Sequence, residues 1–212
     1  MDSSEKLKIL TLGNSDVGKT CFILRYVENR FEIDHISSSG IDLRTKIITL
    51  SNNKKYRVDI YDTAGQERYK SISYNLIRNV DGIILMYSIN KQTTYDSIAE
   101  WMKNILNIKK EGFPIVLLGN KCDLEDERKI SEEEGKKLAT QYNISFYETS
   151  NKDGKNIEAA CSDLINKIIE YKEKEEKEKK KENGKNENKN IVLDKKTNKS
   201  FIKKICPCQK WI

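Results

Sequence analysis

A three-layer α/β domain on a six-stranded, mostly parallel sheet with one antiparallel edge strand is the fold this sequence predicts, and three observations predict it. Short apolar and β-branched runs alternate with segments of helical periodicity through residue 170, as strands joined by helical crossovers do. A Gly-rich loop, "GNSDVGKT" from Gly13 to Thr20, separates the first such run from the first helical segment. After Tyr171 the apolar pattern stops and a lysine-rich run begins. The chain is therefore expected to divide into a domain, residues 1–171, and a disordered, flexible basic tail, residues 172–212.

The strands are expected at Lys8–Leu12, Ile41–Leu50, Tyr56–Tyr61, Gly82–Tyr87, Ile115–Leu118 and Ser145–Glu148. "SNNKK" after the second reads as a tight turn, so the second and third strands should form an antiparallel hairpin while the others run parallel. Helices are expected at Lys19–Glu28, Thr93–Lys109 and Ser131–Tyr142, the last opened by a capping box of Ser131 and Glu134. A final helix should begin near Asn156, where Ile157, Ala160, Cys161, Leu164, Ile165, Ile168 and Ile169 make one apolar stripe at i, i+3, i+4 spacing. Beyond it, Glu/Lys pairs can carry the helix a turn or two into the tail, so the boundary is soft.

Composition narrows the function classes. A hydrophobic fraction of 37% is enough for an ordinary core. No apolar run approaches the roughly 18 residues a spanning helix needs. "MDSSEKLK" lacks a secretory or transit pattern, so a cytosolic start is expected. The five cysteines are an odd set and suit reduced thiols. The single histidine, His35, excludes His-rich metal sites. From Tyr171 onward 14 lysines face seven acidic residues, giving the tail +7 of the net +6 and leaving the body near neutral at −1. The tail should therefore seek anions, and the body should not.

Gly13, Gly18, Lys19 and Thr20 match G, four residues, G-K-[ST], between a strand and a helix. Asn14, Ser15, Asp16, Val17 and Cys21 complete the segment. Such glycines turn backbone N–H groups onto phosphate oxygens, the lysine places a charge on the outer phosphates, and the hydroxyl can bind magnesium. "GNKCD", Gly119–Asp123, ends the fifth strand, at the edge where open α/β sheets bind ligands. The Asp123 carboxylate can accept hydrogen bonds from N1–H and the 2-amino group of guanine, which adenine cannot supply. Asn120 and Lys121 would tie this loop to the first. "TSNK", ending in Ser150, Asn151 and Lys152, follows the sixth strand and could offer an N–H to the guanine O6. "DTAGQE" follows the third strand. There Asp62 can hold magnesium through water, Gly65 can meet a γ-phosphate, and Gln66 can orient an attacking water.

With these four segments in this order, the P-loop NTPase chain resembles the Ras superfamily of small GTPases across about residues 6–171, and within it the Rab branch. "GIDL" at Gly40–Leu43, "DTAGQERYKSI" at Asp62–Ile72, "GNKCDL" and the paired tail cysteines are similar to that branch. The resemblance implies a monomeric switch that binds GTP and GDP with Mg2+, hydrolyses GTP slowly and acts in vesicle and membrane trafficking. It implies catalysis by Gln66 and Lys19, with Thr20, Ser38 and Asp62 as metal residues and Phe31 stacked near the base. Implied partners are an exchange factor, a GTPase-activating protein, a GDP-dissociation inhibitor and effectors, at the cytosolic face of an intracellular membrane. No arginine in the motif segments is placed as a finger, so the activating protein would supply one, worth up to about 10⁵-fold.

The sequence departs from that pattern at several places. Ser38 replaces a threonine, Ser39 stands where an aliphatic residue is usual, and Leu43, Tyr61 and Leu76 or Ile77 stand where partner-reading aromatics are usual. His35 reads as a solvated loop residue or a pH sensor. Tyr95 and Trp101 are assigned no site. Asp16 carries two readings. A carboxylate about 6 Å from a phosphate costs on the order of 1 to 3 kcal/mol at an effective dielectric near 20, which would speed nucleotide release. Alternatively its side chain points into water or pairs with a lysine.

Cys206 and Cys208, in "KKICPCQKWI", fit geranylgeranylation beside lysines on an anionic membrane. Gln209 occupies the cysteine position of a C-a-a-X signal, so that signal is absent. A redox or metal role for the pair remains an alternative. No nucleic-acid partner is expected, since no aromatics interleave the lysine run. Two rivals to the switch stand: a GTP-binding scaffold with little or no hydrolysis, and a P-loop kinase or ATPase.

Overall fold

The computed structural model describes residues 4–31, 41–50, 53–63 and 75–201, with the backbone alone for 41 and 181–201. Six strands form one sheet: β1 (Glu5–Leu12), β2 (Ile41–Thr49), β3 (Lys55–Thr63), β4 (Gly82–Ser88), β5 (Ile115–Asn120) and β6 (Ser145–Thr149). Their order is β2-β3-β1-β4-β5-β6. Only the β2–β3 pair is antiparallel, with Leu43 opposite Tyr61 and Thr45 opposite Asp59; the other pairs run parallel.

The helices are α1 (Lys19–Glu28), α2 (Gln92–Asp96), α3 (Ile98–Leu106), α4 (Glu132–Gln141) and α5 (Ile157–Phe201). β4 is buried at every position, as a strand covered on both faces must be. Alternate residues of β1 separate the two cores. Leu7 and Ile9 join Phe22, Val58, Met86 and the α5 stripe, whereas Leu10 and Leu12 join Tyr87, Ile98, Met102 and Ile105. The capping box of Ser131 and Glu134 opens α4.

Two expectations are corrected. β1 begins at Glu5, three residues early, because Lys54 ties Glu5 at 2.8 Å and Asp59 takes Lys6 at 2.6 Å, so polar residues extend the ladder. The Thr93–Lys109 helix is two helices meeting at Ser97, whose hydroxyl donates to the Thr93 carbonyl at 2.7 Å and competes with the main-chain ladder. The backbone there stays near-helical, φ −72° and ψ −14°.

The chain divides into two units, Met1–Tyr171 and Lys172–Ile212; the backbone of residues 172–201 in the second is helical.

Candidate functional site

The strands β1, β3, β5 and β6 all end at one sheet edge, so the loops that follow them gather there. The first is built on two glycines with left-handed-side backbone. Gly13 has φ +142°, and a Cβ there would strike the Met86 carbonyl; Gly18 has φ +93°, and a Cβ would lie 2.6 Å from Asn120 Nδ2 and 2.8 Å from Asn151 Nδ2. Only glycine fits such crowding. Gly18 is also the N-cap of α1, with no side-chain cap and no acidic residue in the first turn. A helix N-terminus that follows a glycine loop and carries no acidic residue is a setting that favours an anion.

Lys19 is buried, 5% exposed, and its ammonium donates to the carbonyls of Gly13 (2.9 Å) and Asn14 (2.8 Å). These bonds hold a buried charge inside the loop. Thr20 Oγ1 donates to Asp62 Oδ2 at 2.6 Å. A hydroxyl and a carboxylate oxygen side by side are the donor type of a hard divalent cation that keeps most of its other oxygens from water and phosphate. Among the described residues no group of three or more His, Cys, Asp or Glu is placed to hold a metal ion.

The other two loops are stitched to the first. Asn120, fully buried, donates from Nδ2 to the Val17 carbonyl at 2.8 Å and accepts from the Thr149 hydroxyl at 3.1 Å. Asn151 Nδ2 donates to the Gly18 carbonyl at 2.9 Å. The Ser150 hydroxyl donates to Asp123 Oδ1 at 2.7 Å, fixing the carboxylate's orientation. Lys121 has a left-handed backbone, φ 68°. Burial pushes the Cys122 thiol above its usual range, with Lys155 opposing, so Cys122 is a protonated neighbour rather than a reactive thiolate. Cys21 is half-buried in α1, and Ser15 is exposed.

Asp16 has a left-handed backbone, φ 68°. Its carboxylate is 73% exposed, 3.8 Å from Lys121 Nζ and 3.9 Å from Lys91 Nζ. Of the two readings of Asp16, this geometry fits the lysine-paired one.

Several residues with no motif complete the arrangement. Arg25 donates from Nε to the Asn151 carbonyl at 2.7 Å and from an Nη to the Lys152 carbonyl at 2.5 Å. Its guanidinium lies 6.0 Å from the Phe31 ring centroid, so Phe31 stands beside the third loop. Trp101 donates from its indole N–H to Asn14 Oδ1 at 3.0 Å, and Asn14 Nδ2 donates to Ser97 Oγ at 2.9 Å. The spacing of Arg25 on α1 carries no signal of this, and Trp101 reads as one more helix aromatic. Leu43 is 44% exposed, Tyr61 and Leu76 are half-buried, and Ile77 lies in the core. Ser38, Gly65, Gln66, Cys206 and Cys208, with His35 and Ser39, lie outside the described residues.

Comparison with known proteins agrees with this geometry. A family model described as "Ras family" matches residues 8–170. The chain is 42% identical to Ras-related protein Rab-13 of Bos taurus over 162 residues, 76% of this chain and 79% of that protein. It is 41% identical to Ras-related protein Rab-8B of Homo sapiens, over 76% and 78% of the two chains. It is likewise 41% identical to Ras-related protein Rab-10 of Caenorhabditis elegans, over 76% and 80%.

Proposed function

The chain belongs to the Ras family, as a Rab-like small GTPase of membrane trafficking, and from that premise we propose how its own residues bind and hydrolyse GTP. The Gly13–Thr20 backbone and the Lys19 ammonium hold the phosphates. Asp123 accepts from guanine N1–H and the 2-amino group, Asn120, Lys121, Ser150, Asn151 and Lys152 shape the base pocket, and Phe31 covers it. What supports this reading above all is the bond from Ser150 to Asp123. It aims a carboxylate from a loop that Asn120 fastens to the phosphate loop, so base and phosphates are gripped by one connected unit.

Hydrolysis is in-line attack by a water that Gln66 orients, with Lys19 stabilising charge on the γ-phosphate. Thr20, Ser38 and Asp62 would hold Mg2+; the adjacent hydroxyl and carboxylate of Thr20 and Asp62 fit that ion. Magnesium, when bound, neutralises charge on the β- and γ-phosphates. The intrinsic rate is slow, and an activating protein raises it by supplying an arginine. An exchange factor, a GDP-dissociation inhibitor and effectors are the further partners. The tail, residues 172–212, anchors the domain to the cytosolic face of a membrane through lipid on Cys206 and Cys208 and through its lysines. Among the described residues no helix is long and apolar enough to cross a membrane.

A real-time nucleotide assay on purified protein with magnesium tests the core of this. The expected result is slow GTP turnover that is lost in Gln66→Leu, and a preference for guanine that Asp123→Asn abolishes. Unchanged nucleotide choice in Asp123→Asn would overturn the base-recognition assignment. Tight GTP binding without turnover would return the non-hydrolysing scaffold, which the relatives do not favour.

A further inference from the structure

We propose that Trp101 is a positioning residue of the nucleotide site, acting through Asn14; the inference rests on the reading that the Gly13–Thr20 loop holds phosphates. The indole N–H is a donor and nothing else, so its bond to Asn14 Oδ1 dictates which way the amide faces. The amide nitrogen is thereby turned to Ser97 Oγ. That oxygen in turn donates its own proton to the Thr93 carbonyl at 2.7 Å. The result is a directed relay from α3 to the phosphate loop, with every donor and acceptor matched in sense.

The relay ends on a residue with a second task. The main-chain carbonyl of Asn14 is one of the two that hold the Lys19 ammonium, at 2.8 Å. Asn14 thus fastens the loop's opening turn laterally, and the fastening residue lies 87 positions along the chain. A second observation points the same way. Lys91, just before α2, approaches the Asp16 carboxylate at 3.9 Å, so the segment from Lys91 to Trp101 meets the phosphate loop at two places.

Losing the indole bond frees the Asn14 amide and loosens the carbonyl that seats Lys19. Phosphate contacts are then made as before but kept less long. The expected signature is faster departure of nucleotide with arrival unaltered.

The test is a double-mutant cycle on the full chain, with Trp101→Phe, Asn14→Ala and both together, read as association and dissociation rates of fluorescent GDP in magnesium. Trp101→Phe keeps an aromatic ring but removes the pyrrole half of the indole with its donor, so the coupling to Asn14→Ala, rather than the single change, reports the bond. The expected result is dissociation roughly 3- to 10-fold faster, the size of one net hydrogen bond, with association within about twofold of wild type. In the double variant the two effects should not add, because both remove the same bond. Dissociation unchanged in Trp101→Phe, or strictly additive effects, would overturn the proposal. If Trp101→Phe does not fold, Asn14→Ala combined with Ser97→Ala queries the relay from its other end, and additivity there sinks it equally. Wild-type protein that fails to hold GDP would instead overturn the proposed function.

Discussion

Asp16 shows how one side chain can be awkward in two separate ways, through its backbone and through its charge. At φ 68° a side chain costs more than glycine does, though aspartate tolerates the region better than most residues. Unfolding in denaturant should find Asp16→Gly no less stable than wild type, and Asp16→Ala about 1 kcal/mol below the glycine variant. The charge is a different matter, because two lysines lie within 4 Å and the carboxylate faces water. GDP release from Asp16→Ala should therefore stay within about threefold of wild type, since an exposed, lysine-paired charge acts weakly. A tenfold slowing would show that the carboxylate still repels the phosphates. The sequence displayed the misplaced charge but not the remedy, for Lys91 and Lys121 reach it from other strands' loops and no local spacing connects them.

Among the elements, the sheet edge is held by a buried acid. Asp59 on β3 is fully buried and takes Lys6 of β1 at 2.6 Å, Thr45 of β2 at 2.7 Å and its own strand's Arg57 at 2.9 Å. Burial pushes its carboxyl up, but the bonds from Lys6, Thr45 and Arg57 together outweigh it and hold the carboxyl below its usual range. A depressed folded pKa stabilises above the unfolded value, near 4, and that stability is lost as pH falls through the folded one. Asp59→Asn should cost roughly 1.5 to 3 kcal/mol at neutral pH and flatten the acid side of the stability profile, which urea titrations from pH 7 down to 3 would reveal. Element type and order were legible because hydrophobic period differs between strand and helix. The start of β1 was not, since Glu5 and Lys6 are charged and enter the ladder only through partners on β2–β3. Nor was the break at Ser97, which depends on where one hydroxyl turns.

At the scale of the molecule, the nucleotide loops and the fold are the same set of bonds. GDP at 100 times its dissociation constant should raise unfolding free energy by about 2.7 kcal/mol, measurable as a concentration-dependent melting temperature. Removing residues 172–212 should leave that shift intact and abolish binding to anionic vesicles, whereas retained vesicle binding would place the membrane contact on the domain. The motif loops were readable because phosphate and guanine impose short, contiguous patterns. Arg25 and Trp101 were not, because what they do is set by residues 126 and 87 positions distant. Those distances also bear on biosynthesis. The phosphate loop leaves the ribosome first, yet Asn151, 133 residues later, closes onto Gly18. A growing chain thus carries the recognisable phosphate segment long before it can grip a nucleotide, and competence arrives only when the last strand is laid down.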